Sequence, residues 1–316
     1  GTRFLVGSFQ GEAKFDGIPL QAYRKDAFVT CREANGSVRW AKRFGGLDQV
    51  EATDVATSPD GSIYVTGYFR GVSEFDGITR AAVGNSDGFL LKLDQDGNIQ
   101  WVRSIGGASE DRGHGVTVAA DGSIRWVGHF DESASMEGEA LTSSGSEDIF
   151  VAKLSPAGTV DWVRSAGGSG DDYGYSIETD GSKGFTYVAG VIGHGNLKNS
   201  FILQYDSNGT PRWAEKVNGT SNNHVLDLAA DASGVYLAGY FEGEATVGDS
   251  TLTAKGDKDG FLAKYGPDGN PQWAQSIGGT SSDSIHAVEL DPFGDPVLLG
   301  HFLGTSSIGD HTIESA

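Results

Sequence analysis

Short runs of apolar residues, several of them alternating with polar residues, recur along the whole chain. Four such runs form one repeat, and in the third repeat they read GVTVAA, IRWVGHF, IFVAKLS and VDWVRSAG. The runs are rich in Val, Ile, Phe, Tyr and Trp, which predicts β-strands. No stretch combines the helical spacing of apolar residues with capping residues, so we expect an all-β protein. We name the four strands of a repeat A, B, C and D in chain order.

Single residues in fixed places mark the period of the repeat. Strand D carries a tryptophan that is followed by a pair of small residues, usually Gly-Gly, and strand B ends in a glycine followed by a bulky residue. The tryptophans are Trp40, Trp101, Trp162, Trp213 and Trp273, spaced 61, 61, 51 and 60 residues apart. Strand C begins with an acid or amide two residues before a phenylalanine. A fixed period indicates one supersecondary unit used repeatedly.

Turn residues predict how the strands connect. Asn-Gly or Asp-Gly stands between strands C and D, for example Asp96-Gly97, and Asp60-Gly61 stands between A and B. Such pairs are typical of two-residue hairpins, so each repeat is predicted to be a four-stranded antiparallel meander. An insert of about 17 residues between B and C, as at Phe75-Asp76-Gly77, predicts a small extra hairpin. The fourth repeat lacks this insert, which explains the interval of 51 residues.

These patterns predict a β-propeller of four-stranded antiparallel blades with about 60 residues per repeat. A parallel β-helix or open solenoid is the alternative, and it is less favoured because its repeats are shorter. Five blades close if the last strand A, 286–291, joins the first strands B, C and D, which leaves the run 296–302 surplus. Six or more blades result if strands lie outside this chain. We expect a single domain, 1–316, with repeats 1–46, 47–107, 108–168, 169–219, 220–279 and a partial repeat 280–316.

The repeat resembles a known family, the bacterial SBBP β-propeller repeat. The similarity lies in WVRSIGGASEDRGHGVTVAADGSIRWVGHF, with its GG-x-x-x-D, D-x-x-G and Y-V-x-G elements, and in IFVAKLSPAGTVDW. It covers almost the whole chain. The resemblance implies a secreted or surface-exposed bacterial protein, and it implies no common catalytic residues.

Charge and composition restrict the partners. The net charge of −20 argues against nucleic acid and anionic membrane, because both need basic patches. No apolar stretch reaches 18 residues, so we expect no membrane-spanning helix. Cys31 is the single cysteine, and it rules out an intrachain disulfide. Both ends fall within a repeat, so we expect the chain to be part of a larger polypeptide or assembly. The family resemblance implies an extracellular or bacterial cell-surface location.

Two series of side chains are predicted to meet on one face, where the D-to-A and B-to-C loops lie. The first stands seven residues after each Gly-Gly position and the second directly follows the strand-B glycine. The predicted ligand face comprises Tyr68, His114, His129, Tyr175, Tyr240, His286 and His301, with Asp111 and Asp172 beside them. Tyr and His rings can stack on sugars, and carboxylates can accept hydroxyl hydrogen bonds or hold Ca²⁺. The alternative, that the repeat simply places polar residues at strand ends, stays open.

The sequence favours binding over catalysis. It contains no HExxH, CxxC or G-x-S-x-G motif, so we predict no catalytic residues, and Ca²⁺ is the one cofactor that the sequence admits. The D-x-D-G-N run at 94–98 is interpreted as a hairpin turn rather than a calcium loop. The predicted function is a non-catalytic secreted or surface module that binds a protein or glycan or forms part of an extracellular assembly. The alternative is a glycan-active enzyme that uses face carboxylates such as Asp171-Asp172.

Overall fold

A computed structural model describes residues 1–181, 183–194 and 197–315. Every regular element in these ranges is a β-strand, which confirms the all-β prediction. The chain forms two compact units, Gly1–Ala166 and Gly167–Ala316. Their boundary lies close to the predicted end of the third repeat. The prediction of one domain over 1–316 stays a prediction.

Thirteen strands form the N-terminal unit. They are β1 (Arg3–Phe15), β2 (Ile18–Arg32), β3 (Val38–Gly46), β4 (Val50–Thr57), β5 (Ile63–Phe69), β6 (Val72–Phe75), β7 (Ile78–Ala81), β8 (Asp87–Leu93), β9 (Ile99–Gly107), β10 (Asp111–Val118), β11 (Ile124–Met136), β12 (Glu139–Leu154) and β13 (Val160–Ala166).

The described strands of the C-terminal unit number fifteen. They are β14 (Asp172–Thr179), β15 (Thr186–His194), β16 (Leu197–Tyr205), β17 (Pro211–Lys216), β18 (Asn218–Gly219), β19 (Asn223–Asp231), β20 (Gly234–Phe241), β21 (Glu244–Val247), β22 (Ser250–Thr253), β23 (Asp259–Tyr265), β24 (Pro271–Gly279), β25 (Ser284–Leu290), β26 (Pro296–His301), β27 (Thr305–Ile308) and β28 (His311–Glu314).

Antiparallel pairing joins strands A to B, B to C and C to D within each complete repeat. The second repeat pairs β4, β5, β8 and β9 in this order, and the third pairs β10 to β13. The fourth repeat pairs β14 to β17, and the fifth pairs β19, β20, β23 and β24. The predicted four-stranded meander is therefore confirmed for repeats two to five.

The turns between strands C and D differ from the prediction. The amide of Gly97 donates to the carbonyl of Asp94 at 3.0 Å, and Gly97 alone in this turn has a positive φ, +80°. Since a two-residue type I′ turn needs two positive φ angles, the connection is a longer loop built on a type I turn. The two-residue prediction was wrong here. Type I′ geometry occurs instead at the insert hairpins, where Asp76 and Gly77 have φ angles of 47° and 88°.

The insert hairpins are present as predicted, and those of the second, third, fifth and partial sixth repeats pair with strand D of the preceding repeat. In β3, Gly45 faces Glu74 and Gly46 faces Ser73 of the second repeat. The same pairing joins β9 to the tip of β11, β18 to β21 and β24 to β27. In the fourth repeat only residues 195–196, outside the described residues, separate β15 from β16, so no such hairpin occurs there.

The Gly-Gly pair provides the space for this junction. A Cβ on Gly106 would lie 2.2 Å from the carboxyl carbon of the buried Asp87, and one on Gly107 would lie 1.7 Å from the carbonyl oxygen of Ser133. The first glycine therefore accommodates a buried carboxyl group, and the second accommodates the backbone of the next hairpin.

An apolar residue before each hairpin turn fills the space between neighbouring repeats. The ring of Phe75 lies 5.7 Å from that of Phe69 and 5.1 Å from that of Phe89, both in its own repeat. It also lies 6.2 Å from the ring of Phe44 in the preceding repeat. Fully burying such an aromatic side chain contributes about 1.5–3 kcal/mol. We call this residue the plug of the hairpin.

The strand-D tryptophans form a second link between repeats. The indole of Trp40 donates to the carbonyl of Gln95 at 3.0 Å and lies against Gly97 in the C–D turn of the next repeat. Trp101 and Trp213 bond in the same way to Pro156 and Pro267, both at 3.3 Å. Each of these three rings therefore packs against the neighbouring repeat.

Gly107→Ala is expected to lower the free energy of unfolding by about 1–3 kcal/mol, because the new methyl group overlaps the docked hairpin. Gly168 is its counterpart in the third repeat, where Asp172 is the one described residue within 4 Å of an added Cβ. Gly168→Ala is therefore the matched control, and it should be neutral or slightly stabilising. Urea denaturation measures both variants. Equal destabilisation by the two would contradict the role of the junction.

Candidate functional site

A β-bulge recurs in every described strand A. The register of strand A against strand B shifts by one residue at the same place in each pair, for example between Gly113 and Gly115. The extra residues are Thr53, His114, Tyr175, Leu226 and His286. They are the first of the two predicted series. A bulge bends its strand and redirects one side chain, so the repeat presents a variable residue at this position.

Two predicted histidine pairs are brought together across strands A and B. The Nε2 atom of His114 lies 2.8 Å from Nδ1 of His129, and the same atoms of His286 and His301 are also 2.8 Å apart. The rings of each pair stack with centroids 4.9 and 5.0 Å apart. His129 is buried, whereas His286 and His301 are exposed. Both rings are therefore accessible to a ligand in the pair of His286 and His301, but not in the pair of His114 and His129.

Tyr68 lies next to the first histidine pair. Its hydroxyl bonds to Glu51 and to the amide of Gln49, and the guanidinium of Arg112 lies 4.4 Å from the ring centroid. Burial raises the pKa of Tyr68 to about 12, and the hydrogen bond to Glu51 and the charge of Glu51 add to this shift. Because the positive charge of Arg112 also lowers the pKa of His114, we treat these residues as one group. We call Tyr68, Arg112, His114 and His129 the N-terminal cluster.

A similar group of rings and cations lies in the C-terminal unit. Tyr175 stacks on Tyr173, and Tyr240 stacks on His224 with centroids 5.0 Å apart. The ammonium groups of Lys198 and Lys258 lie 4.4 Å from the ring centroids of Tyr173 and Tyr240. The C-terminal cluster is defined by Tyr173, Tyr175, Lys198, His224, Tyr240 and Lys258. Cation–π contacts of this kind contribute about 0.5–2 kcal/mol each.

The two predicted carboxylates do not lie on the surface. Asp111 is 0% and Asp172 is 1% exposed. Asp111 accepts backbone hydrogen bonds from Gly107 at 2.7 Å and from Asp131 at 3.3 Å. Asp172 accepts them from Gly168 at 2.6 Å and Gly193 at 2.9 Å. This placement corrects the expectation of ligand contact: both carboxyl groups hold the chain that connects successive repeats.

Burial shifts the proton affinity of several groups near the bulges. Desolvation raises the pKa of Asp111 to about 7 and that of Asp87 to about 6, although backbone hydrogen bonds to both oppose the shift. Desolvation, together with the charge of Arg112, lowers the pKa of His114 to about 4. At neutral pH the His114 imidazole is therefore uncharged, which suits the hydrogen bond between the two rings.

The cations over the tyrosine rings were missed by the sequence prediction. A signal for them exists, since the residue before the first acid or amide of strand C is basic at Lys25, Lys198 and Lys258. Lys25 pairs with Glu51 at 2.6 Å. The contact itself joins residues of different strands, so spacing along the chain does not reveal it.

The D-x-D-G-N run forms a turn, as interpreted from the sequence. The Asp94 carboxylate accepts hydrogen bonds from the amides of Asp96 at 3.0 Å and Asn98 at 2.9 Å. Within the described ranges, no group of three or more His, Cys, Asp or Glu side chains has an arrangement that could hold a metal ion. The same residues contain no helix that could cross a membrane.

The chain has two curated relatives of limited similarity, and no family model matches it. It is 27% identical over 206 residues to the regulatory protein FlaEY of Caulobacter vibrioides, covering 58% of this chain and 21% of that protein. It is 21% identical over 326 positions to an uncharacterized WD repeat-containing protein of Acanthamoeba polyphaga mimivirus, covering 78% of this chain and 23% of that protein. The chain thus spans about a fifth of the length of the curated relatives that it matches.

Similar solved structures include a rhamnogalacturonan lyase of Bacillus licheniformis and Drosophila plexin A in complex with semaphorin 1b. The first is 14% identical with a TM-score of 0.38, covering 95% of this chain and 69% of that chain. The second is 10% identical with a TM-score of 0.36, covering 94% and 84%. Similarities this distant assign neither fold nor function to the present chain.

The imidazole of His114 is expected to stay neutral at pH 5.5, because its pKa is lowered to about 4. The unfolded chain binds this proton with an ordinary pKa of about 6.5, so the group makes the folded state less stable as pH falls between these values. Long-range ¹H–¹⁵N NMR of the labelled imidazoles follows the titration. The urea-unfolded chain is the control, and a midpoint near 6.5 in the folded protein would refute the assignment.

Proposed function

We propose that the chain is a β-propeller in which each four-stranded repeat is one blade. Three features support this architecture: the complete meanders, the hairpins by which the second, third, fifth and partial sixth repeats pair with the repeat before them, and the contacts between successive strands A. In the N-terminal unit β4 lies against β10, and in the C-terminal unit β19 lies against β14 and β25. The last strand A, β25, pairs with β26, the run that closure with five blades leaves surplus. This pairing favours six or more blades over five.

Small-angle X-ray scattering tests the proposed ring. A compact propeller of 316 residues, closed by this chain or completed by strands outside it, is expected to have a radius of gyration of about 20 Å. An open solenoid or two separated units would give a clearly larger radius and a distance distribution with two maxima. That result would exclude the propeller for this chain.

We further propose that the protein is a non-catalytic binding module. The observation that carries this proposal is the recurrent bulge, which delivers a different side chain at one and the same position of each repeat. Ligand-binding surfaces of repeat proteins are built in this way, with a constant framework and variable surface residues. His286, His301, Tyr175 and Tyr240 are the variable residues with exposed or partly exposed side chains. We infer that they contact a protein or glycan ligand.

The geometry favours binding over the glycan-active enzyme that the sequence also suggested. Glycoside hydrolysis needs two carboxyl groups that face the scissile bond about 5–10 Å apart. Asp111 and Asp172 are buried and their carboxyl groups accept backbone hydrogen bonds, which fits a role in connecting repeats better than a pair that faces a scissile bond. The stacked histidine pairs and the cation-covered tyrosines offer hydrogen bonds and polar contacts instead.

The resemblance to SBBP repeats supports a secreted or surface-displayed bacterial protein as the setting of this module. The curated relatives are several times longer than the chain, which supports a role as one part of a larger protein or assembly. Ca²⁺ remains the cofactor that we propose to test, because loop carboxylates and amides are abundant at the strand ends.

A glycan array and a panel of candidate surface proteins, each screened with and without Ca²⁺, test the binding proposal. His301→Ala is expected to weaken capture of the ligand at least about tenfold, which corresponds to about 1.4 kcal/mol. His311→Ala is the matched control, because His311 is an equally exposed histidine on the insert hairpin β28. Equal affinity of both variants would remove His301 from the site, and turnover of any glycan would contradict the non-catalytic assignment.

A further inference from the structure

The missing hairpin of the fourth repeat leaves a cavity in the C-terminal unit. Its volume is about 460 Å³, and its wall includes Gly168, Asp172, Ile192, Phe201, Leu203 and Lys216. The size lies within the range of pockets that bind ligands, about 300–1,000 Å³. The cavity is separate from the two clusters described above.

The walls of this cavity correspond to the residues that hold a hairpin plug elsewhere. Ile192 stands two residues after the strand-B glycine, as Phe69 does in the second repeat. Phe201 faces that glycine from strand C, as Phe89 does in the second repeat. Those two rings enclose the plug Phe75. The apolar floor of the cavity is therefore built to receive an aromatic or aliphatic side chain.

Gly167 and Gly168 follow strand D of the third repeat beside the cavity, and we call them the glycine edge. In other repeats the second glycine of this pair contacts a docked hairpin. A Cβ on Gly46, Gly107 or Gly279 would lie 2.7, 1.7 or 1.9 Å from a carbonyl oxygen of the docked hairpin. At the matching Gly168 the nearest atom of the described residues to an added Cβ is the Asp172 carboxylate at 3.9 Å. Among the described strand pairings none involves Gly167 or Gly168. Within the described part of the chain, neither a hairpin backbone nor a plug side chain occupies this position.

We propose that this cavity is the docking site for a β-hairpin of a partner protein. The partner hairpin carries an aromatic or large aliphatic residue directly before a tight Asp-Gly or Asn-Gly turn. It adds main-chain hydrogen bonds to the glycine edge and inserts its plug between Ile192 and Phe201, as strand addition does in other complexes. Glu215 and Lys216, both exposed at the rim, offer one charge of each sign to the hairpin. The proposal goes beyond the binding module above, because it uses a different surface.

A peptide of residues 71–82, GVSEFDGITRAA, is the probe, since this segment forms the docked hairpin of the second repeat. It is closed by a disulfide between added terminal cysteines, because an isolated hairpin is only marginally stable and preorganisation lowers the cost of binding. Isothermal titration calorimetry is expected to show saturable one-to-one binding. The same peptide with Phe75→Ser should bind at least about tenfold more weakly, because it lacks the plug.

Gly168→Ala is the decisive protein variant. Its methyl group has room in the free protein but occupies the place of the hairpin backbone, so binding should fall at least about tenfold while the fold stays intact. Tyr240→Ala changes the C-terminal cluster and should leave peptide binding unchanged, which separates this proposal from the proposed function. Equal binding to wild type and Gly168→Ala, or no binding at about 1 mM peptide, would overturn the proposal.

A chimera provides a second test that needs no added ligand. Segment 70–82 replaces residues 195–196, so that the fourth repeat gains a hairpin of its own. If the cavity is a hairpin site, the chimera should withstand more urea than wild type and should no longer bind the closed peptide. Unchanged peptide binding by the chimera, or preference of the cavity for free sugars over the peptide, would contradict a hairpin as its occupant.

Discussion

The junction between a Gly-Gly pair and the hairpin of the following repeat is the contact on which the arrangement of repeats depends. At this point the last strand of one sheet ends, a buried carboxyl group fills the space beside the first glycine, and the backbone of the next repeat passes the second. Because glycine leaves room for both, the junction accounts for the pairs Gly45-Gly46, Gly106-Gly107 and Gly278-Gly279, whereas the fourth repeat has Asn218 in the first position. The tryptophans tie the repeats together a second time, through the C–D turns.

The same junction explains the buried carboxyl groups, which otherwise look like catalytic candidates. Desolvation alone makes a buried carboxylate unfavourable, and it raises the pKa values of Asp87 and Asp111. Backbone amides of Val83 and Gly107 offset part of this cost. The fifth repeat shows that a charge is not required, since Asn223 occupies the place of Asp111 and donates to Asn199. A perturbed pKa in this fold therefore reports structure, and it is weak evidence for catalysis.

The sequence predicted what depends on neighbours along the chain and missed what depends on other repeats. Strands, hairpins and the missing insert could be predicted, because alternation and turn residues act locally. Counting seven residues from the Gly-Gly position identified His114 as a site residue, but the β-bulge at this position was not predicted. The pairing of each hairpin with the preceding repeat, the burial of Asp111 and the contact of Arg112 with Tyr68 could not be predicted, because they join segments tens of residues apart. The prediction of two-residue C–D turns was wrong, because the same Asp-Gly pair occurs within a five-residue loop.

Amide hydrogen exchange, followed by mass spectrometry, tests most directly whether each hairpin belongs to the sheet of the repeat before it. The account predicts that residues 72–81 exchange as slowly as the end of β3, to which they are hydrogen-bonded, and that Gly46→Ala speeds exchange in both segments together. Rapid exchange of 72–81 in the wild-type protein, with β3 still protected, would show that the hairpin is a detached loop and would contradict the account.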